Sequence, residues 1–224
     1  MWVPAVTGSP HLFILGIPGQ GKSWTVTRIL RALAAASVPA LVFDFHGQFG
    51  DPDGAYARAA HLTVVNATQG LPFSPFEAAA GADAGTSYWK TNCFAVAEIF
   101  QHVCDLGDIQ RDVFFEALAQ CYRDCGFDEG RPDRLPTVGD LATRLAEHEQ
   151  VRGVKNVLPR CRPLLEFGLF REDATAATTD LRGLLGNGLV IDVHHLGLET
   201  LQLAAGAFLL RYLRVAGGRR ESAG

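Results

Sequence analysis

Apolar residues along the chain gather in two ways: short unbroken runs near both ends, and helically spaced stripes between them. HLFIL (His11 to Leu15) is short, apolar and closed by glycine, which predicts a buried strand. Lys22 to Ala36 is rich in Ala and Leu and predicts a helix with Arg28 and Arg31 turned to solvent. Pro39 resets the chain, and ALVFDF (Ala40 to Phe45) and HLTVV (His61 to Val65) predict two further strands. LPFSPFE (Leu71 to Glu77) holds two prolines, which rules out extended regular structure there. From about Ser87 to Phe170 the period is helical. One stretch opens at Asp108, a candidate N-cap, and stops at Gly126; another opens at Pro136-Thr137; a third is interrupted by Pro159 and Pro163. GLVIDV (Gly188 to Val193) returns as a core strand, followed by a helix over Glu199 to Val215 and a polar tail, GGRRESAG, that is expected to fray.

Strand, helix, strand in that order implies right-handed crossovers and a mainly parallel sheet flanked by helices, an α/β fold with an all-helical insertion. The boundaries are residues 1–76 for the front of the core, 77–180 for the insertion, 181–216 for the return to the core and 217–224 for a disordered tail. At 224 residues and 48% hydrophobic, the chain suits one α/β domain with a subdomain inserted. A formal net charge of −4 argues against a surface that coats nucleic acid, though not against local contacts in an oligomer pore. Five scattered cysteines make no disulfide framework and predict reduced, packed thiols. The N-terminal stretch lacks a positive n-region, and no apolar run approaches the ~20 residues of a membrane span, so a cytoplasmic protein is expected.

The first chemistry lies between the first strand and the first helix. Gly16-Ile17-Pro18-Gly19-Gln20-Gly21-Lys22-Ser23 fits G-x-x-x-x-G-K-[ST] at every fixed position. Glycines let backbone N–H groups converge on phosphates, and the helix that follows aims its positive end at them. Lys22 is the expected bridge to the β- and γ-phosphates, the Ser23 hydroxyl the expected Mg²⁺ ligand, and Trp24 either stacks near base or ribose or packs under the sheet. The bland alternative is an ordinary glycine-rich turn, which the matching flanks on both sides disfavour.

Phosphoryl transfer also needs a carboxylate beside the metal and a group to orient water. Asp44 and Asp192 both end hydrophobic strands, and either serves as the candidate. Neither is followed by glutamate: Phe45 and His46 follow the first, Val193 and His194 the second. A strand-end aspartate satisfied by loop N–H groups is the competing reading for each.

HLFILGIPGQGKS followed by ALVFDFHGQFG resembles the HerA-type branch of the HerA/FtsK superfamily and its type IV secretion and conjugation relatives. Members carry D-x-H-G-E-[YF]; here Asp44-Phe45-His46-Gly47-Gln48-Phe49 has Gln48 in the place of glutamate. LPFSPFE resembles the family's N-P-[LF]-E-like segment, and GLVID with Leu196-Gly197-Leu198 resembles its V-I-D-L-S-G-L segment. The resemblance spans nearly the whole chain. It implies a RecA-like sheet, Mg-ATP, a hexamer and translocation on double-stranded DNA, with a nuclease or another effector as partner. It also implies that Asp192 is not the Walker B residue, because the family's D-E-A-H-like strand and arginine finger come after the next helix, where this sequence reaches GGRRESAG. On this reading the sequence is the front part of a motor core, and Asp44 sits beside the phosphate loop in a supporting or interface element. Two other classes stay open: a non-hydrolysing nucleotide-binding scaffold or regulator, favoured by Gln48 and the absent D-E pair, and a small P-loop kinase.

The remaining candidates read more simply as structure. His194-His195, taken as strand neighbours, point to opposite faces and cannot easily share an ion. Cys121 and Cys125 have helical spacing without a second ligand pair. Trp89, Phe94, Phe100, Phe114 and Phe115 fit the core of the helical region. Arg160, Arg162, Arg171 and Arg182 are scattered, which fits solvated charge better than a finger acting in trans.

Overall fold

A computed structural model describes residues 12–77, 88–170 and 188–218. Arg171, Arg182, His11 and residues 219–224 of the predicted tail lie outside them. Among the described residues three strands, β1 (Leu41–Asp44), β2 (Thr63–Asn66) and β3 (Leu189–Asp192), form a parallel sheet in the order β1-β3-β2. Seven α-helices are described: α1 (Lys22–Ala35), α2 (Ala55–Ala59), α3 (Tyr88–Val103), α4 (Asp108–Asp124), α5 (Val138–Arg152), α6 (Val157–Glu166) and α7 (Glu199–Gly218).

The strand sequences show why the central strand, β3, is buried on both faces while β1 and β2 beside it are mostly half-buried. Val42, Val190 and Val64 share one register row, and side chains alternate along a strand. These three pack with Val26 and Leu30 of α1 and with Phe49 and Ala60. The alternate residues, Leu189 and Ile191, join the larger core under α3 to α7. Parallel strands covered on both sides read as unbroken apolar runs, as these do.

One predicted strand does not form. Residues 12–17 carry no strand pairing, and Phe13, Leu15 and Ile17 are 84%, 88% and 70% exposed. An apolar run signals a preference for burial but names no ladder partner, and the described ladder ends at β1.

The helices follow local rules with informative exceptions. At α5, Thr137 Oγ1 accepts the Asp140 N–H at 3.0 Å and the Asp140 carboxylate accepts the Thr137 N–H at 2.8 Å. At α4 the cap is Gly107, and Asp108 is instead the first helical residue, its carboxylate accepting from Gln101. The predicted interruption at Pro159 and Pro163 is absent, because α6 runs through both. Pro159 falls in the first turn, where N–H groups have no intrahelical partner, so it costs no bond. The Glu149 carboxylate of α5 accepts the N–H groups of Val157 and Leu158 and so caps α6 from outside. α7 also runs on to Gly218, taking in the first two residues of the predicted tail.

The proline-rich stretch 71–77 is irregular, as predicted, yet wholly buried. Buried backbone carbonyls need donors, and side chains supply them. Tyr122 Oη and Asn92 Nδ2 both donate to the Phe76 carbonyl, and Arg211 donates to those of Pro75 (3.1 Å) and Glu77 (2.7 Å). Trp89, Phe100 and Phe114 are buried around this network, but Phe94 is 58% exposed and stacks on Phe115 with ring centres 4.2 Å apart. Phe94 lies on the outer side of α3, which helical spacing alone does not distinguish from the inner.

All five cysteines are free and buried. Burial pushes the thiols of Cys93 and Cys121 up to about 12. Since the thiolate is the reactive form, both are expected to resist alkylation at pH 8 and to label only at the rate of global unfolding. Peptide mass spectrometry after timed labelling checks this; rapid labelling in native buffer contradicts it.

Candidate phosphate-binding site

The glycine-rich loop passes directly into α1. Gly19 and Gly21 adopt φ of 82° and 78°, in the left-handed region that favours glycine. An added Cβ at either would meet nothing within 4 Å, so the turn has open space beside both glycines. α1 has no side-chain cap and no acidic residue in its first turn, so its N-terminal field is not neutralised by the protein. Lys22 Nζ folds back over the loop and donates to the carbonyls of Gly16 (2.7 Å) and Ile17 (2.9 Å). This arrangement of open turn, uncapped helix and ammonium fits a polyphosphate. Pro18 and Gln20 form the turn between Ile17 and Gly21, with the Gln20 N–H donating to the Ile17 carbonyl.

Beside the loop, Trp24 is half-exposed and faces Tyr56 (ring centres 6.4 Å apart), which in turn faces Phe49 (5.4 Å). Trp24 therefore does not pack under the sheet.

The C-terminal ends of the strands bring Asp44, Asp192 and Asn66 into one register row. Both aspartates are buried, and both serve the backbone. Asp44 Oδ1 accepts the His46 N–H at 3.1 Å and Oδ2 the Phe49 N–H at 2.7 Å, which folds residues 45–49 into a tight loop. Asp192 Oδ1 accepts the His194 N–H at 3.0 Å. The loop also seats on the β3 end. Gly50 presses against the Asp192 carboxylate so closely that a Cβ there would collide with it, and a Cβ on Gly47 (φ 70°) would lie 2.7 Å from His194 Nδ1. These contacts pin both sides of Gln48, which is exposed and accepts a hydrogen bond from Ser23 Oγ. The sequence marked Gln48 only as a departure from a pattern. The contact joins residues 25 apart, and its only sequence signal is that both lie at ends of strand-helix and strand-loop units on the same sheet edge.

The histidine pair needs a correction. His194 and His195 follow β3 in a turn, so strand alternation does not separate them, and their rings meet edge-to-face at 4.2 Å. No group of three or more metal-ligating side chains exists among the described residues. Arg160 pairs with Asp105 (3.1 Å) and Arg162 with Glu166 (3.1 Å), both on the surface. Cys121 and Cys125 are core residues.

Fold and loop together define an α/β P-loop nucleotide-binding module. The family model described as Helicase HerA, central domain, matches residues 7–212. The chain belongs to this family and is a P-loop ATPase module of the HerA/FtsK type. No curated protein matches the chain. Among the described residues no helix is long and apolar enough to cross a membrane.

Proposed function

We propose that this chain binds Mg-ATP through residues 16–23 and works as part of a hexameric HerA-type motor that translocates double-stranded DNA. The observation that carries this reading is the open, uncapped junction of the loop with α1, with Lys22 Nζ over it. Gly16, Gly19, Gly21 and the N–H groups around Lys22 and Ser23 would cradle the phosphates, with Ser23 holding Mg²⁺ and Trp24 beside the base or ribose. In this reading residues 1–76 and 181–216 form the core and 77–180 the helical insertion, and the partners are further copies, duplex DNA and a nuclease or similar effector, in the cytoplasm. When bound, the magnesium nucleotide supplies the electrophilic phosphorus and its charge neutralisation. This chain's own residues bind the phosphates, orient the metal ligand and shape the loop that faces them.

A second reading, a nucleotide-binding scaffold without hydrolysis, is favoured by one specific observation. The carboxylates of Asp44 and Asp192 are both engaged by backbone N–H groups, and the side chain that accepts from the Ser23 hydroxyl, Gln48, is a neutral amide. The test is ATP binding and turnover on the purified chain with Mg²⁺, with and without duplex DNA. Turnover stimulated by duplex DNA assigns the motor and means that Asp44 or Asp192 serves in hydrolysis. Binding without turnover fits the front part of a motor core as well as the scaffold, and no binding overturns both.

A further inference from the structure

Resting on the reading that residues 16–23 hold a magnesium nucleotide, we propose that Gln48 is a positioning residue for the metal ligand. It accepts the Ser23 hydroxyl proton and so turns the oxygen lone pairs of Ser23 toward the cation. The contact itself is direct: Ser23 Oγ donates to Gln48 Oε1. The loop around Gln48 is over-determined, by Asp44 on the N–H groups of His46 and Phe49, by Gly47 on His194 and by Gly50 on Asp192. It has few ways to yield, and it presents one exposed side chain to Ser23.

The chemistry follows from the inventory of a hydroxyl: one donor and two acceptor lone pairs. A cation takes a lone pair, so the proton needs an acceptor elsewhere, and that acceptor fixes how the ligand faces the metal. A carboxylate in this place adds a negative charge near the cation. Gln48 gives the same orientation without the charge, so Mg²⁺ would be held here by the Ser23 oxygen, phosphate oxygens and water with no added negative charge from position 48. The opposite amide orientation would put Nε2 against the Ser23 lone pair, where it competes with the cation. The two orientations predict opposite effects when the amide is removed.

The experiment titrates Mg²⁺ against binding of a fluorescent ATP analogue by the full chain, with EDTA as the metal-free reference. Q48A is expected to raise the half-saturating Mg²⁺ about tenfold, the low end of what losing an outer partner of a metal ligand costs. Q48E is expected to lower it roughly tenfold, as an added charge at this distance does in water-like surroundings. In EDTA the charge of Q48E faces the phosphates with no cation between them and is expected to weaken binding, whereas Q48A, which removes no charge and no phosphate donor, is expected to change metal-free affinity less than it changes the Mg²⁺ dependence. The Q48A loss is expected to vanish on a Ser23→Ala background, because the orienting contact acts through the Ser23 hydroxyl, whereas the direct Coulomb part of the Q48E gain persists there. Matching melting temperatures of the free variants exclude misfolding. A Q48A variant with unchanged or improved Mg²⁺ dependence overturns the proposal, as does a Q48A loss that is undiminished on the Ser23→Ala background. If the wild-type chain binds no nucleotide at any Mg²⁺ concentration, the underlying reading fails and the proposal goes with it.

Discussion

Lys22→Ala is expected to lower ATP affinity at least ~100-fold while leaving the melting temperature of the free chain within about 2 °C. The two halves have different physical origins. In the free chain Lys22 Nζ donates to two loop carbonyls, Gly16 and Ile17, close to solvent. Those carbonyls reach water when the ammonium is gone, so little stability is lost. On the proposed function the same ammonium would meet phosphate oxygens in the nucleotide complex, and a hydrogen bond to a charged group contributes roughly 1.5–3 kcal/mol. Two such bonds amount to about 3 kcal/mol or more, which is ~100-fold in affinity. Lys22→Arg is expected to rescue poorly, because a planar fork does not reproduce the two carbonyl contacts that the point-like ammonium makes with Gly16 and Ile17. Calorimetric titration of ATP into the variant reads the effect. Wild-type affinity in Lys22→Ala would mean that phosphate is not held at this loop.

How far the sequence reached depends on what kind of force sets each feature. Local rules were legible. α1 starts at Lys22 because Gly21 ends the turn in a left-handed conformation, and α5 starts at Val138 because Thr137 and Asp140 cap one another. Strands β1, β2 and β3 were legible because each carries a short apolar run, LVF, VV and LVI, that closes on a polar residue, Asp44, Asn66 and Asp192. What depends on distant partners was not. Residues 11–15 carry the pattern of a buried strand, yet the described part of that run lies outside the ladder and exposed. Pro159 and Pro163 signal a break, yet Glu149 on another helix supplies the cap that lets α6 form. The site divides in the same way. The loop from Gly16 to Ser23 is a local motif, and its shape was legible. The Ser23–Gln48 contact and the seating of Gly47 and Gly50 on β3 depend on the pairing of β1 with β3, which a linear reading does not contain.

Phe100→Ala is expected to destabilise the chain by about 3–5 kcal/mol, the range for truncating a fully buried aromatic ring. For a chain of this size that lowers the melting temperature by roughly 10 °C. Phe100 is 1% exposed, and its ring stands 4.4 Å from that of Phe114 and 5.8 Å from that of Phe208. Phe208 meets Phe170 at 5.0 Å, and Phe170 meets Phe73 at 6.2 Å. Removing Phe100 therefore opens a cavity in the middle of a chain of rings that links α4, α3, α7 and the buried stretch 71–77. Phe94→Ala is the control on the same helix. That ring is more than half exposed and stacks on Phe115 alone, so its loss is expected to cost about 1 kcal/mol or less. The contrast separates burial from helical spacing, which treats the two residues alike. The same pair of variants tests how the parts unfold. Leu189 and Ile191 of β3 share one continuous core with the helices, so damage at Phe100 should lower a single transition. Circular dichroism follows the helices, and fluorescence follows Trp24 beside the phosphate loop once the other two tryptophans, Trp2 and Trp89, are replaced by Phe. Coincident transitions in Phe100→Ala mean that the sheet edge carrying the phosphate loop melts with the helical region. An early helical transition that leaves the Trp24 signal in place would instead mean that the loop and sheet stand without it.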